Sequence, residues 1–259
     1  MPYQKIILSK MGKIATITLN RPEVLNALDA DMLEEIIHAI GDIEKDSNIR
    51  VVILGSNCEK AFSSGIDVGF VKDHDPWTGR LMGKLLHRTF GAVRALEKPV
   101  ISAIDGLCLG AGLELAISGD ILIASECSKF GLPNINVGIP AIVEAPIFLP
   151  AIGLFGTKEL CFTGKYWDVE RAKEFNLLNS VVAPGELKTE VKSWADLLAD
   201  KSPRGLATQK DIINKWMTTD LETAIDYSIQ TVTLNLVTKD QKEGMGAFLE
   251  KREAKFTGE

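Results

Sequence analysis

Two glycine-flanked stretches of this 259-residue chain carry residues whose types and spacing could do chemistry. The first is Ala61-Phe62-Ser63-Ser64-Gly65-Ile66-Asp67, and the second runs from Gly106 through Gly110, Ala111, Gly112 and Glu114 to Ala116. Each reads as a place where a strand or loop gives way to a helix. Glycine there lets the backbone come close to a ligand. Unpaired N–H groups at a helix start can then point at an oxygen that gains negative charge. Two such donors on one oxygen form an oxyanion hole. Glu114 stands one turn inside the second helix, flanked by Leu113, Leu115, Ala116 and Ile117. A carboxylate in apolar surroundings is costly to bury, and burial raises its pKa toward values suited to proton transfer near neutrality. Together these residues point to chemistry on a carbonyl that passes through an enolate-like state.

Other chemistries fit less well. His38, His74 and His87 stand beside no nucleophile motif and read as surface or structural residues, and there is no GxSxG elbow. Gly110-Ala111-Gly112 lacks the third glycine of a dinucleotide fingerprint, since Leu115 occupies that place. Cys58, Cys108, Cys127 and Cys161 have no metal-type spacing and read as buried thiols in a reducing compartment.

The elements that must position the two stretches can be read from periodicity. Lys5–Leu8 and Lys13–Leu19 predict an antiparallel hairpin turning at Met11-Gly12. Asp29 predicts the cap of an amphipathic helix with Met32, Ile36, Ile37, Ile40 and Ile43 on one face. Strands are predicted at Arg50–Leu54, Pro99–Ile104 and Asp120–Ala124. Helices are predicted up to Leu96 and over Gly110–Ser118, and residues 67–79 read as a mobile loop. Alternating strands and helices over 50–125 imply right-handed βαβ units around a largely parallel sheet. From about residue 144 helical patterns dominate, apart from a strand at Ser180–Val182.

Composition bounds the class. Hydrophobic residues make up 46 % and charged residues 25 %, as in ordinary globular proteins. A net charge of −6 argues against nucleic acid as the main partner. No run of 18 apolar residues suggests a membrane span, and a cytoplasmic location is expected.

Taken in order, the motifs resemble the crotonase (enoyl-CoA hydratase/isomerase) superfamily over essentially the whole chain. They are Ile17-Thr18-Leu19-Asn20-Arg21-Pro22 with Asn26-Ala27-Leu28, then AFSSGID, KPVISAIDGLCLGAGLELAISGD, Lys129-Phe130-Gly131-Leu132-Pro133, Phe162-Thr163-Gly164 and GMGAFLEKREAKF. The resemblance implies an α/β fold of the ClpP/crotonase kind, a spiral of ββα repeats over residues 1–195. It also implies a helical region at 196–259 that builds a homotrimer or a dimer of trimers. It implies an acyl-CoA thioester substrate whose carbonyl sits between the N–H groups of Ile66 and Ala111, with no separate cofactor and no metal. Ala111 stands where relatives often have Gly, which a backbone donor tolerates. Val24, Ala27, Ser64, Gly65, Asp67, Val68 and Gly110 would line the thioester and CoA channel. Phe248, Lys251 and Phe256 would approach the nucleotide end.

Hydratases of this kind use two glutamates, and here the sequence departs. Glu114 matches the first, but Asn134 stands at the second, and Asn can hold a water without taking its proton. Glu144, at a predicted helix start, reads either as a first-turn residue favoured by the helix dipole or as a relocated second acid/base. Ile142, Val143, Ala145 and Ile147 around it make it apolar enough for the latter. Hydration of a 2,3-enoyl-CoA leads the expectations. The alternatives are double-bond isomerisation or another enolate reaction such as decarboxylation by Glu114 alone, and a non-catalytic CoA-thioester or RNA-binding role.

Overall fold

The computed structural model describes residues 3–141 and 143–259. Strands β1 (Ile6–Met11) and β2 (Ile14–Leu19) form the expected hairpin, turning at Gly12. Helix α1 (Ala30–Lys45) follows, and the Asp29 side chain accepts a hydrogen bond from Met32 N–H at its start. It buries Met32, Leu33, Ile36, Ala39, Ile40 and Ile43, while Ile37 is only half-buried.

Three successive units then each place one strand in a large sheet and one in a small sheet. The pairs are β3 (Val51–Ser56) with β4 (Ala61–Ser63), β5 (Val100–Ile104) with β6 (Leu107–Leu109), and β7 (Ile121–Ser125) with β8 (Lys129–Gly131). Helices α2 (Val68–Val71) and α3 (Pro76–Ala95) follow the first unit, and α4 (Ala111–Ile117) the second. The large sheet has the order β1-β2-β3-β5-β7-β9, with β9 at Ser180–Val182, and every pairing after the hairpin is parallel. The small sheet, β4-β6-β8, is parallel throughout. This alternation is the ββα spiral.

The remaining elements are helical. Helix α5 spans Phe148–Thr163, interrupted at Gly153 (φ +71°). It is followed by α6 (Val169–Glu174), α7 (Leu187–Ala199), α8 (Pro203–Trp216), α9 (Leu221–Asn235) and α10 (Lys239–Glu250). Val191, Ala195 and Ala199 of α7 pack on Val51, Ile101 and Ile123, so α7 covers one face of the large sheet. A division at residue 195 would run through this helix.

Two expectations need correction. Residues 67–79 are not one loop: Asp67 caps α2 by accepting from Phe70 N–H, and Asp75 caps α3 by accepting from Thr78 N–H. The four thiols differ, with Cys58 and Cys108 buried, Cys161 half-buried and Cys127 exposed.

Candidate active site

Parallel strands release their following loops at one edge, so β4, β6 and β8 deliver three loops to the same place. Residues 64–67 follow β4, Gly110 and Ala111 follow β6, and Leu132–Asn134 follow β8. A Cβ on Gly65 would lie 3.0 Å from Leu109 O and 3.5 Å from Ala111 N. A Cβ on Gly110 would lie 3.0 Å from Asn134 Oδ1. The first two loops therefore touch backbone to backbone, and Asn134 lies over the second. Both glycines have positive φ (+103° and +52°), which a side chain would strain.

The amides of Ile66 and Ala111 are left free by this geometry. Leu28 N–H donates to Gly65 O, and Asp67 N–H donates to Leu28 O, so the peptide groups on either side of Ile66 pair with Leu28. That pattern turns the Ile66 N–H away from Leu28. Ala111 is the first residue of α4, where an N–H has no partner within the helix. Neither amide donates to another backbone group among the described residues.

The Ile17–Leu28 motif builds the frame beneath this loop. Buried Asn26 donates from Nδ2 to Phe62 O and Ser56 Oγ, and Ser63 Oγ donates to Asn26 O. The Arg21 guanidinium donates to Ala27 O and to Asp67 Oδ2, and pairs with Asp29 at 3.0 Å. Val24 O accepts from Ser64 Oγ at 3.4 Å. Val24, Ala27, Ser64, Gly65 and Asp67 thus form one patch around Ile66, and exposed Val68 opens α2 beside it.

Glu114 is 3 % exposed, and its Oε1 has no hydrogen-bond partner among the described residues. Burial pushes its pKa up to about 7. The backbone N–H groups of Glu144, Val143 and Ala145 act in the opposite sense, while the Glu144 charge adds to the rise. On α5, the Cys161 thiol is pushed up by burial and by the Glu114 charge.

Glu144 is placed differently from the sequence expectation. It precedes the short 3-10 turn Ala145–Ile147, yet its side chain does not cap that turn. The carboxylate is buried and turned onto α3, where His87 Nδ1 lies 3.0 Å from Oε1 and the Arg94 guanidinium donates to Oε2. A relocated acid/base would need a free oxygen facing the pocket, and both oxygens are engaged. Val143, Ala145 and Ile147 pack partly buried against the core, and Ile142 lies outside the described residues. His87 and Arg94 were not among the expected site residues. Their spacing, two turns apart on α3, is the only sequence signal of a shared face.

The three CoA-tail candidates are not brought to these loops in the single chain. Phe248 is 82 % exposed on α10, and Lys251 ends that helix with φ +54°. α10 packs on α8, and Arg50, at the N-terminal end of β3, donates to Phe256 O. On α3, Met82 and Leu86 are buried in the core and Leu85 packs against it, while Trp77 is 66 % exposed.

Residues 9–259 match the family model described as enoyl-CoA hydratase/isomerase. The chain belongs to this family. It is 38 % identical over 253 residues to a short-chain-enoyl-CoA hydratase of Clostridium acetobutylicum, covering 97 % of each. It is 37 % identical over 257 residues to a crotonyl-CoA hydratase of Syntrophomonas wolfei, covering 99 % of each. Among solved structures, an enoyl-CoA hydratase from Bacillus anthracis superimposes with a TM-score of 0.94 at 31 % identity, covering 99 % of this chain and 100 % of that one. The enoyl-CoA hydratase/isomerase fold therefore extends over 99 % of the chain.

Proposed function

We propose that this chain adds water across the 2,3-double bond of short-chain enoyl-CoA thioesters. The observation that carries the reading is two amides, Ile66 and Ala111, and Oε1 of one buried carboxyl, Glu114, all without hydrogen-bond partners among the described residues. The two named relatives support the short acyl class.

The chemistry follows from these groups. The thioester oxygen accepts from both amides, and their dipoles stabilise the charge that arrives there as water attacks C3. Losing one such donor typically costs about 2.7–4 kcal/mol of barrier stabilisation. Ionised Glu114 takes a proton from the attacking water as the C3–O bond forms and the π electrons shift toward the thioester oxygen. The enolate collapses as Glu114 returns a proton to C2. Asn134 orients the water without exchanging a proton with it. Gly110, Val24, Ala27, Ser64, Gly65, Asp67 and Val68 line the thioester end, and Phe248 and Lys251 are assigned to the nucleotide end. No cofactor is needed beyond the CoA of the substrate. Exposed Leu234, Val237, Phe248 and Leu249 support burial of the 196–259 region in a homotrimer or a dimer of trimers. A cytoplasmic location completes the proposal.

Asn134 favours one second reading, double-bond isomerisation with Glu114 as the single acid/base. One assay separates the possibilities. Hydration removes the enoyl absorbance of crotonyl-CoA, and isomerisation of a 3-enoyl-CoA creates that absorbance. A non-catalytic binder does neither.

A further inference from the structure

The Ile66 amide stands at the end of two hydrogen-bonded peptide units that begin at the Arg21 guanidinium. Arg21 Nη1 donates to Ala27 O at 2.6 Å. That carbonyl shares its peptide with the Leu28 N–H, which donates to Gly65 O at 2.7 Å. The Gly65 carbonyl in turn shares its peptide with the Ile66 N–H. In a trans peptide the C=O and N–H point in opposite directions, so each bond fixes where the next donor aims. The last N–H of the chain donates to no backbone group among the described residues. A second arm of the same side chain holds the residue after Ile66: Arg21 Nη2 donates to Asp67 Oδ2 at 3.2 Å, and Asp67 N–H donates to Leu28 O at 2.9 Å.

We infer that Arg21 is a positioning residue for the oxyanion hole: its guanidinium starts a peptide relay, Ala27–Leu28 to Gly65–Ile66, that aims and polarises the Ile66 N–H. This rests on the reading of Ile66 and Ala111 as donors to the thioester oxygen. Arginine keeps its charge at any working pH. A cation at the carbonyl end draws electron density along the aligned peptides, and successive hydrogen bonds strengthen one another. The counter-charges are Asp67 and Asp29, the latter 3.0 Å from Arg21 and shared with Lys5 at 2.6 Å. The Arg21 side chain is only 15 % exposed, so water screens the relay little. Ala111 has no such cation behind it, because Gly110 O accepts from Leu113 and Glu114 N–H at the start of α4. The backbone of Arg21 is held without its side chain: its N–H donates to Asn26 Oδ1 at 2.7 Å, and Asn26 N–H donates to its O at 2.9 Å. The turn should therefore survive a change of side chain.

The test compares Arg21→Met, Arg21→Lys and Lys5→Gln with the parent, each first checked for native circular dichroism and Tm. Butyryl-CoA labelled with ¹³C at its carbonyl is the probe, and isotope-edited infrared difference spectra read the bound C=O stretch without turnover. The parent should lower that stretch relative to free thioester. Arg21→Met removes every donor and should return the band part-way toward the free value. Its kcat for crotonyl-CoA should fall about tenfold, less than the 10²–10³-fold typical of a lost oxyanion donor, with KM changed far less. Arg21→Lys keeps a charge but not the fork and should fall between the two in both readouts. Lys5→Gln disturbs the same ion cluster outside the relay and should lower Tm without moving the band. The inference is overturned if the Arg21→Met band matches the parent's, or if Lys5→Gln moves it equally. Should Arg21→Met not fold, an Arg21→Lys band identical to the parent's overturns it instead. An unshifted band in the parent would sink the oxyanion reading and the relay together. A shifted parent band that responds to Arg21, without any hydration, would sink the reaction reading alone.

Discussion

The Glu144 carboxylate is buried against Arg94 and His87 of α3, whereas the buried Glu114 carboxyl has no partner on Oε1 among the described residues. Two buried acidic residues thirty positions apart in the chain are thus held in unequal surroundings. One is buried with an unpartnered oxygen, and the other is buried and fully paired.

Glu114 should make the folded protein less stable as pH rises. Its folded pKa is raised by burial to about 7, so the folded state binds its proton more tightly than the unfolded state does. The stability from this group is fully present below the ordinary carboxylate range. It is lost as pH climbs from there through about 7. The total difference is about 3 kcal/mol. Glu114→Gln, which stays neutral, should therefore raise Tm at pH 8 and leave it nearly unchanged at pH 4. Thermal melts of both proteins at the two pH values check this, and an equal Tm change at both would contradict the cause.

The same ionisation sets the pH dependence of the proposed hydration. Glu114 must be ionised to take a proton from water, so crotonyl-CoA hydration should rise as pH passes through about 7. A kcat/KM profile from pH 5 to 9 measures it, and the rising limb should vanish in Glu114→Gln.

Gly110→Ala should damage the site without unfolding the protein. The residue has φ +52°, and an added Cβ would press on Asn134 Oδ1 at 3.0 Å. Backbone strain of this kind costs about 1–3 kcal/mol. Relief by rotation would swing the adjoining Ala111 amide away from the thioester oxygen. Chemical denaturation should report the strain, and kcat should fall by about 10²-fold if one donor is lost.

Asn134 offers the sharpest separation between hydration and isomerisation. Loss of one water-orienting hydrogen bond in Asn134→Ala should lower crotonyl-CoA hydration by about tenfold and leave isomerisation of a 3-enoyl-CoA nearly unchanged. A sharp rise in hydration on Asn134→Glu would indicate that simple hydration is not the native reaction.

Much of this architecture was legible in the sequence, and the illegible parts have physical causes. The hairpin, α1, β3, β5 and β7 announce themselves because each is long enough to show a pattern. The strands β4, β6 and β8 have three residues each, too few for any alternation to register, yet they align the three loops of the site. Glu114 stood out because its neighbours are apolar, which is the same fact that buries it. Glu144 was equally visible, but its partners were not. Arg94 lies 50 residues and His87 57 residues earlier in the chain, and only the folded path brings α3 against that turn. Residues 67–79 read as a loop because Asp73-His74-Asp75-Pro76 is polar, although Asp67 and Asp75 are helix caps.

The central claim is that Ile66 and Ala111 N–H stabilise an enolate whose proton Glu114 moves. Exchange of the α-protons of butyryl-CoA in D₂O, followed by ¹H NMR, tests it without requiring any double bond to react. The account predicts steady loss of the α-proton signal with the parent enzyme and none above background with Glu114→Gln. Equal exchange by the two proteins would contradict it.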